Sequence, residues 1–461
     1  MKSLAIILSP ILFGGCVLGP EPGNPDIALP GAIRSDSAPH GESFGDKAWR
    51  KVFTDATLCK LIERTIANNP DLAAATYRIE QARAQATAAN SDWFPQLNGI
   101  AGGIGNYGSA NAVQVMPGAG RSSESYNLTG LLSWELDLWG GIHRSNQSAR
   151  SELLAANYQR DAVQTSLVAA VAASYIELKN LDERLSISRR TVRSRRESLD
   201  LVKARGEGGI VSELETGQAE ALLGQALTAI PITEKAITEK ENEIRFLLGE
   251  YPSRIVRGGS FESFEDSLHV KGGLPSSLLS RRPDLAAANQ SYQAAVAQIG
   301  VADALRLPNI SLTGTGGMIS SDFGKLLESN STAYSIGPSM SGPIFDAGRS
   351  KARADAARAR AGEALVNYNK ASQQAFREAA DAINAHIKMG EITTQLSALV
   401  KSHQKVALVA TGRFQGGASG YLEVLDAERS LFSAELELAD ARRDRLLAVV
   451  FAYRALGGGW Q

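Results

Sequence analysis

Metal and disulfide chemistry has little to work with in this chain: two cysteines, five histidines and five methionines are spread over 461 residues. His40, His143, His269, His386 and His403 fall in separate segments, with no His-Cys or His-Glu spacing that closes a ligand set. The methionines are scattered too, so no thioether relay for a soft metal is laid out. Phosphate loops, dinucleotide fingerprints and G-x-S-x-G elbows are missing. The paired carboxylates Glu241 and Glu243 read as part of an ordinary charged helix. No catalytic residue, metal site or cofactor is expected from this inventory.

Charge of one sign is also missing. Lys and Arg total 48 against 49 for Asp and Glu, a formal net charge of −1. That excludes the basic excess by which nucleic-acid binders hold phosphates. Beyond the extreme N-terminus no apolar run approaches the ~18 residues of a transmembrane helix. Any membrane crossing then falls to β-strands, the other structure that satisfies its own backbone in lipid.

What is present begins at the N-terminus. Lys2 precedes an apolar run from Leu4 to Phe13, and Gly14-Gly15-Cys16 follows. This reads as a signal peptide over residues 1–15, with Cys16 acylated as the first mature residue. Phe13 stands where such sites usually carry Leu. Val17 occupies the place of the aspartate that retains lipoproteins at the inner membrane, which favours the outer membrane. Several acyl chains anchor stably, at about 0.8 kcal/mol per buried CH₂. Cys59 is left without a partner, so no disulfide framework forms, and it reads as a small buried hydrophobe in a helix.

The chain is also built twice, with a period of roughly 210 residues. Asn69-Pro70-Asp71-Leu72-Ala73 returns as Arg282-Pro283-Asp284-Leu285-Ala286, Pro95-Gln96-Leu97 as Pro308-Asn309-Ile310, and Leu136 to Gly140 as Ile344 to Gly348. Arg205, Gly208-Gly209 and Leu214-Glu215 return as Arg413, Gly416-Gly417 and Leu422-Glu423. The blocks keep their order, which a duplicated unit explains and chance does not. The halves are expected over 54–260 and 261–461, after a lipid-anchored segment over 16–53.

Each half reads helix, strand, strand, very long helix, shorter helix. Asn69-Pro70-Asp71 opens the first helix with Pro in its first turn and an acid beside it. From Tyr126 the chain alternates, with Tyr126, Leu128, Gly130, Leu132, Trp134, Leu136 and Leu138 against Asn127, Thr129, Ser133, Glu135 and Asp137, Leu131 being the exception. Ile310, Leu312 and Met318 stand against Ser311, Thr313 and Thr315, and a fourth strand is expected from Tyr334 to Phe345. The strands are placed at about 95–138 and about 307–346, long enough to cross a bilayer at a tilt. Gly-, Ser- and Asn-rich linkers over 108–125 and 320–331 suit exposed hairpin loops. A long helix follows each pair, about 142–205 without Pro or Gly, and about 349–411 without Pro. Such lengths indicate coiled-coil-like packing against neighbours. Pro231 has no counterpart in the second half and is expected to break the shorter helix that follows 213.

Four strands cannot close a transmembrane barrel, whose smallest form has about eight. Copies of the chain must therefore associate, a dimer supplying eight strands and a trimer twelve.

Six blocks in order resemble the TolC-type outer membrane factor family, in its NodT-type lipoprotein branch, over essentially the whole chain. They are Cys16 to Pro20, Trp134 to Gly140, Arg281 to Leu285, Pro343 to Arg349, Tyr421 to Ala427 and Ala455 to Trp460. The resemblance implies a mainly α homotrimer in which a 12-stranded β-barrel joins a long periplasmic α-helical barrel. It implies an efflux channel in the outer membrane, serving a periplasmic adaptor and an inner-membrane pump for drugs, toxic compounds or metals. It places the periplasmic tip at 206–212 and 416–420. Relatives put an aspartate in the second turn, where this chain has Ser419. Arg205, Glu207, Glu213, Arg413 and Tyr421 are the side chains expected to hold the aperture closed or cap helix ends, around turns made by Gly208, Gly209, Gly416 and Gly417. Adaptor contacts are expected at the same turns. A protein-secretion channel shares these features; an envelope-tethering lipoprotein needs neither the strands nor the duplication.

Overall fold

The computed structural model describes residues 17–25, 49–109, 111, 121–259, 261 and 281–458. The signal stretch, Cys16, most of the 16–53 segment, His40 and His269 lie outside the described residues. In chain order the elements are α1 (Trp49–Val52), α2 (Ala56–Asn68), α3 (Pro70–Ser91), β1 (Gln96–Tyr107), β2 (Ser122–Leu136), α4 (Gly141–Glu207) and α5 (Glu213–Leu247). After these come α6 (Pro283–Ala304), β3 (Asn309–Ser320), β4 (Thr332–Ser341), α7 (Arg349–Gln415) and α8 (Tyr421–Ala455). The order helix, strand, strand, long helix, shorter helix thus occurs twice. The chain forms two compact units, each assembled from separate stretches.

The first unit draws on Met1–Asp26, Ile79–Ala156 and Ala288–Tyr368. Its centre is a four-stranded antiparallel sheet in the order β1-β2-β3-β4. β2 starts at Ser122, earlier than the alternation from Tyr126 indicated, and ends at Leu136 because Asp137 turns to cap the next helix. The Asp137 carboxylate accepts the backbone N–H groups of Ile142 at 3.0 Å and His143 at 2.8 Å. Asp346 does the same for α7, accepting from Gly348 at 3.0 Å and Ser350 at 2.8 Å. The fourth strand stops at Ser341, short of the expected Phe345. Pro343 has no N–H to extend the ladder, so Ile344 and Phe345 lie outside it, exposed. Below the sheet, Val296, Ile299 and Ala302 of α6 pack on Ala354, Ala357 and Ala361 of α7. Small side chains there let the two helices approach closely.

The second unit draws on Ile27–Arg78, Asn157–Ala287 and Asn369–Gln461. Val171, Tyr175 and Leu178 of α4 pack with Leu58 and Ile62 of α2, Ile244 of α5 and Val449, Val450 and Tyr453 of α8. Cys59 is half-buried at this core, its thiol donating to the Phe53 carbonyl at 3.0 Å. Each half of the duplication closes in the same way. Asn69 caps α3 and donates to the carbonyl of Leu247, the last residue of α5, at 2.9 Å. Arg282, at the equivalent place before α6, donates to the carbonyl of Ala455, the last residue of α8, at 3.2 Å.

The long helices outrun expectation: α4 and α7 each have 67 residues, about 100 Å at 1.5 Å per residue. Pro231 does not break α5, which is continuous over 35 residues. The proline is exposed while Ala226 and Thr233 are buried on the packed side. Packing on both sides of Pro231 holds the helix. Glu241 is not an ordinary surface carboxylate either. It is buried, accepts the Ile255 N–H at 3.1 Å and pairs with Arg257, because the chain leaving α5 folds back over it.

Candidate aperture and pore face

Both helix-helix turns of the second unit are built on one plan. In the first, the N–H of Ile210 reaches the Arg205 carbonyl at 2.9 Å and that of Gly209 reaches Gly206 at 2.9 Å. In the other, Ala418 reaches Arg413 at 2.8 Å and Gly417 reaches Phe414 at 3.0 Å. This is the glycine stop in which the residue past the helix takes the left-handed region, with φ of 70° at Gly209 and 73° at Gly417. The following helices start differently. Ser212 and Glu215 form a capping box on α5, whereas Gly420 offers α8 no side chain.

Arg205 connects the two turns. Its guanidinium donates to the carbonyls of Phe414 at 2.7 Å and Gln415 at 2.7 Å, and lies 4.6 Å from the Phe414 ring centroid. Those carbonyls end α7, where the helix dipole favours a cation; that of Phe414 also takes the Gly417 N–H. One helical hairpin thus supplies the cap for the other. Arg413 is exposed and more loosely held, 3.4 Å from Glu423 and 3.4 Å from the Ala418 carbonyl.

The remaining expected residues divide sharply. Glu207, Glu213, Gly208 and Gly416 are exposed. Tyr421 is buried, edge-on to Phe414 at 5.5 Å between ring centroids, in a small core with Val202, Ala410 and Val424. Burial, with Glu428 nearby, pushes its hydroxyl up to about 12. Ser419 is half-buried, and its hydroxyl finds no hydrogen-bond partner among the described residues. Phe414 and the carbonyl of Gln415 were not singled out by sequence; only the cation-accepting end of α7 could have signalled them.

The sheet of the first unit has two unlike faces. The pairing register sets Leu97 opposite Leu132, Leu128 opposite Met318, Trp134 opposite Leu312, Ile310 opposite Met340 and Gly314 opposite Ile336. All of these lie on one face, which is apolar except at the start of β2, where Ser122 and Glu124 share it. The other face carries Asn98, Asn127, Thr129, Ser133, Ser311, Thr313, Thr315, Ser335 and Ser339, interrupted by Ile100, Ile104, Leu131 and Ile319. Its hydroxyls pair across strands, Ser311 with Ser339 at 2.8 Å and Thr315 with Ser335 at 2.9 Å. Ser341 donates to Asn309 at 2.6 Å. By this alternation Glu135 is the one ionisable side chain on the polar face among the described strand residues. Trp134 and Trp139 mark the helix-proximal end, their indole N–H groups donating to the carbonyls of Trp93 at 3.0 Å and Pro308 at 2.7 Å. No helix among the described residues is long and apolar enough to cross a membrane, and no group of His, Cys, Asp or Glu among them has the spacing of a metal site.

Comparison with known proteins places these features in context. The model of the outer membrane efflux protein family matches residues 61–250 and 274–458. The toluene efflux pump outer membrane protein TtgI of Pseudomonas putida is 32% identical over 461 residues, 98% of this chain and 97% of that protein. The cation efflux system protein CusC of Escherichia coli O6:H1 is 32% identical over 455 residues, 97% of this chain and 96% of that protein. Among solved structures, the outer-membrane channel OprN superposes with a TM-score of 0.89 at 31% identity, covering 96% of this chain and 100% of that one.

Proposed function

This chain belongs to the outer membrane efflux protein family, and from that premise we propose that it is the lipid-anchored outer-membrane duct of a tripartite efflux system. Three copies close a barrel of twelve strands, and their long helices line the periplasmic tunnel. A periplasmic adaptor and an inner-membrane pump deliver the substrate and the energy. The chain transports and performs no covalent chemistry. Acylation at Cys16 holds each copy in the outer membrane. The turns at Gly206–Ser212 and Gly416–Gly420 form the aperture and meet the adaptor, with Arg205 as its principal tie.

The observation that carries this reading is the sheet. Its outer strands β1 and β4 leave two open edges, and one face is mainly apolar while the other is mainly polar and nearly uncharged. Lipid does not tolerate an unpaired strand edge, so the sheet must be completed by copies of itself. A barrel so closed turns its hydroxyl-lined face to water and its apolar face to lipid. TtgI is named for toluene efflux and CusC for cation efflux. A pore face with Glu135 as its one ionisable side chain among the described strand residues suits a passive path for small molecules chosen upstream, whether drugs, toxic compounds or metal ions.

The test is planar-bilayer conductance of the detergent-extracted protein, together with its oligomer mass. A trimer with small, infrequent openings is expected. A monomer, or an oligomer that never conducts, overturns the reading.

A further inference from the structure

Residues Val17 to Pro25 form neither helix nor strand, yet they are held within the first unit at Leu18, Gly19 and Asn24. The Leu18 N–H donates to the Trp139 carbonyl at 3.1 Å. Arg144, only 2% exposed, donates from Nε to the Leu18 carbonyl at 3.1 Å and from Nη2 to the Gly19 carbonyl at 3.2 Å. Its remaining nitrogen, Nη1, donates to Gln147 at 2.8 Å. Further along, the Asn24 side-chain oxygen accepts from Asn289 at 2.8 Å and Gln293 at 3.2 Å, both on α6. A buried charge needs hydrogen-bond partners to be tolerated, and two of the three that Arg144 makes go to successive carbonyls of this one segment.

Two glycines shape the groove. A Cβ on Gly300, inside α6, would stand 2.6 Å from the Leu18 oxygen and 2.7 Å from Arg144 Cγ. Gly140 takes the left-handed region with φ of 74°, which favours glycine in its own right, and a Cβ there would also stand 2.8 Å from Val17 Cα. Glycine is unfavourable inside a helix, and nothing in the geometry of α6 calls for it at 300 except the close approach of Leu18 and Arg144.

We infer that Arg144, Gly140 and Gly300 form a built-in receptor for residues Val17 to Gly19, fixing the acylated N-terminus at the helix-proximal rim of the membrane sheet. The inference rests on the proposed acylation of Cys16, one peptide bond before Val17. The dock lies beside Trp139, at the end of the sheet where Trp134 also stands, and tryptophan prefers the membrane interface. Each further residue of free chain would add up to about 3.3–3.6 Å of slack between the acyl chains and the sheet. With Leu18 as the first hydrogen-bonded residue, Val17 alone separates the dock from Cys16, so the acyl chains enter lipid near the depth of the aromatic rim. The dock thereby couples anchoring to insertion depth and to assembly of the oligomer.

The test compares wild type with Gly300→Ala and Arg144→Gln in the full-length protein. Palmitate incorporation, yield of SDS-resistant oligomer in the outer membrane, and hydrogen exchange at the Leu18 amide are measured. Gly300→Ala is the decisive variant, because alanine favours the helix while its methyl meets Leu18. Wild-type palmitate labelling, a loss of Leu18 protection of at least tenfold and a several-fold drop in assembled oligomer are expected in both variants. Labelled wild type with an unprotected Leu18 amide overturns the dock alone. Unlabelled wild type with a protected Leu18 overturns the acylation reading and the anchoring role built on it. Full oligomer yield in both variants overturns the coupling to assembly.

Discussion

An arginine in the last turn of a long helix ordinarily compensates the dipole of its own helix. Arg205 serves another helix, donating to the two terminal carbonyls of α7 while lying against Phe414. Hydrogen bonds from charged groups contribute about 1.5–3 kcal/mol when well made, enough to bias a two-state aperture by an order of magnitude or more. Arg205→Ala is therefore expected to raise single-channel open probability at least tenfold. Arg205→Lys should recover little of the closed state, since an ammonium cannot match the planar fork. Unchanged gating in both variants would remove Arg205 from the aperture. Charge reversal at exposed Arg413 should have the smaller effect, given its 3.4 Å contacts. Another residue-scale expectation concerns acid. Burial alone would raise the Glu378 carboxyl, but hydrogen bonds from Gln374 and Arg282, with the charges of Arg282 and Arg454, bring it below its ordinary value. A carboxyl held low in the fold adds stability above its unfolded pKa and loses it as pH falls through the folded value. Thermal midpoints measured from pH 6 to pH 3 should fall less steeply in Glu378→Gln than in wild type.

At the scale of elements, the duplication gave both halves the same stops. The glycine terminator seen at Gly209 and Gly417 recurs after α5 at Gly249, with φ of 70°, and after α8 at Gly457, with φ of 84°. Departures between the halves are then informative. Pro231 sits in α5 with no counterpart in α8, and the helix runs through it. Proline inside a helix costs up to about 3 kcal/mol relative to alanine, and here tertiary packing bears that cost. Pro231→Ala is expected to raise the thermal midpoint of the assembled protein. A lowered midpoint would mean that the proline fits a local distortion which alanine cannot.

At the scale of the whole molecule, the two faces of the sheet set what each position tolerates. Leu128 and Thr129 are sequence neighbours on opposite faces. Arginine on a lipid face costs about 2–4 kcal/mol at the bilayer midplane, whereas a pore-facing arginine stays in water. Leu128→Arg should sharply reduce outer-membrane oligomer, while Thr129→Arg should assemble and shift ion selectivity toward anions. Equal yields from the two variants would contradict the assignment of faces.

The sequence by itself determined the period-two strands, the long uninterrupted helices and the repeat that joins them, because these follow from local propensity and from side-chain alternation. Asp137 and Asp346 were visible as repeated letters, but their use as caps that end β2 and start α4 and α7 required the folded turn. The tip glycines were legible because only glycine takes the left-handed region cheaply. The partners of Arg205 were not, since carbonyl oxygens leave no trace in side-chain identity. Nor could periodicity say that Glu241 and Tyr421 are buried while Pro231 faces water. Those outcomes depend on which stretches, hundreds of residues apart, come to lie against each helix, and the tertiary structure alone decided them.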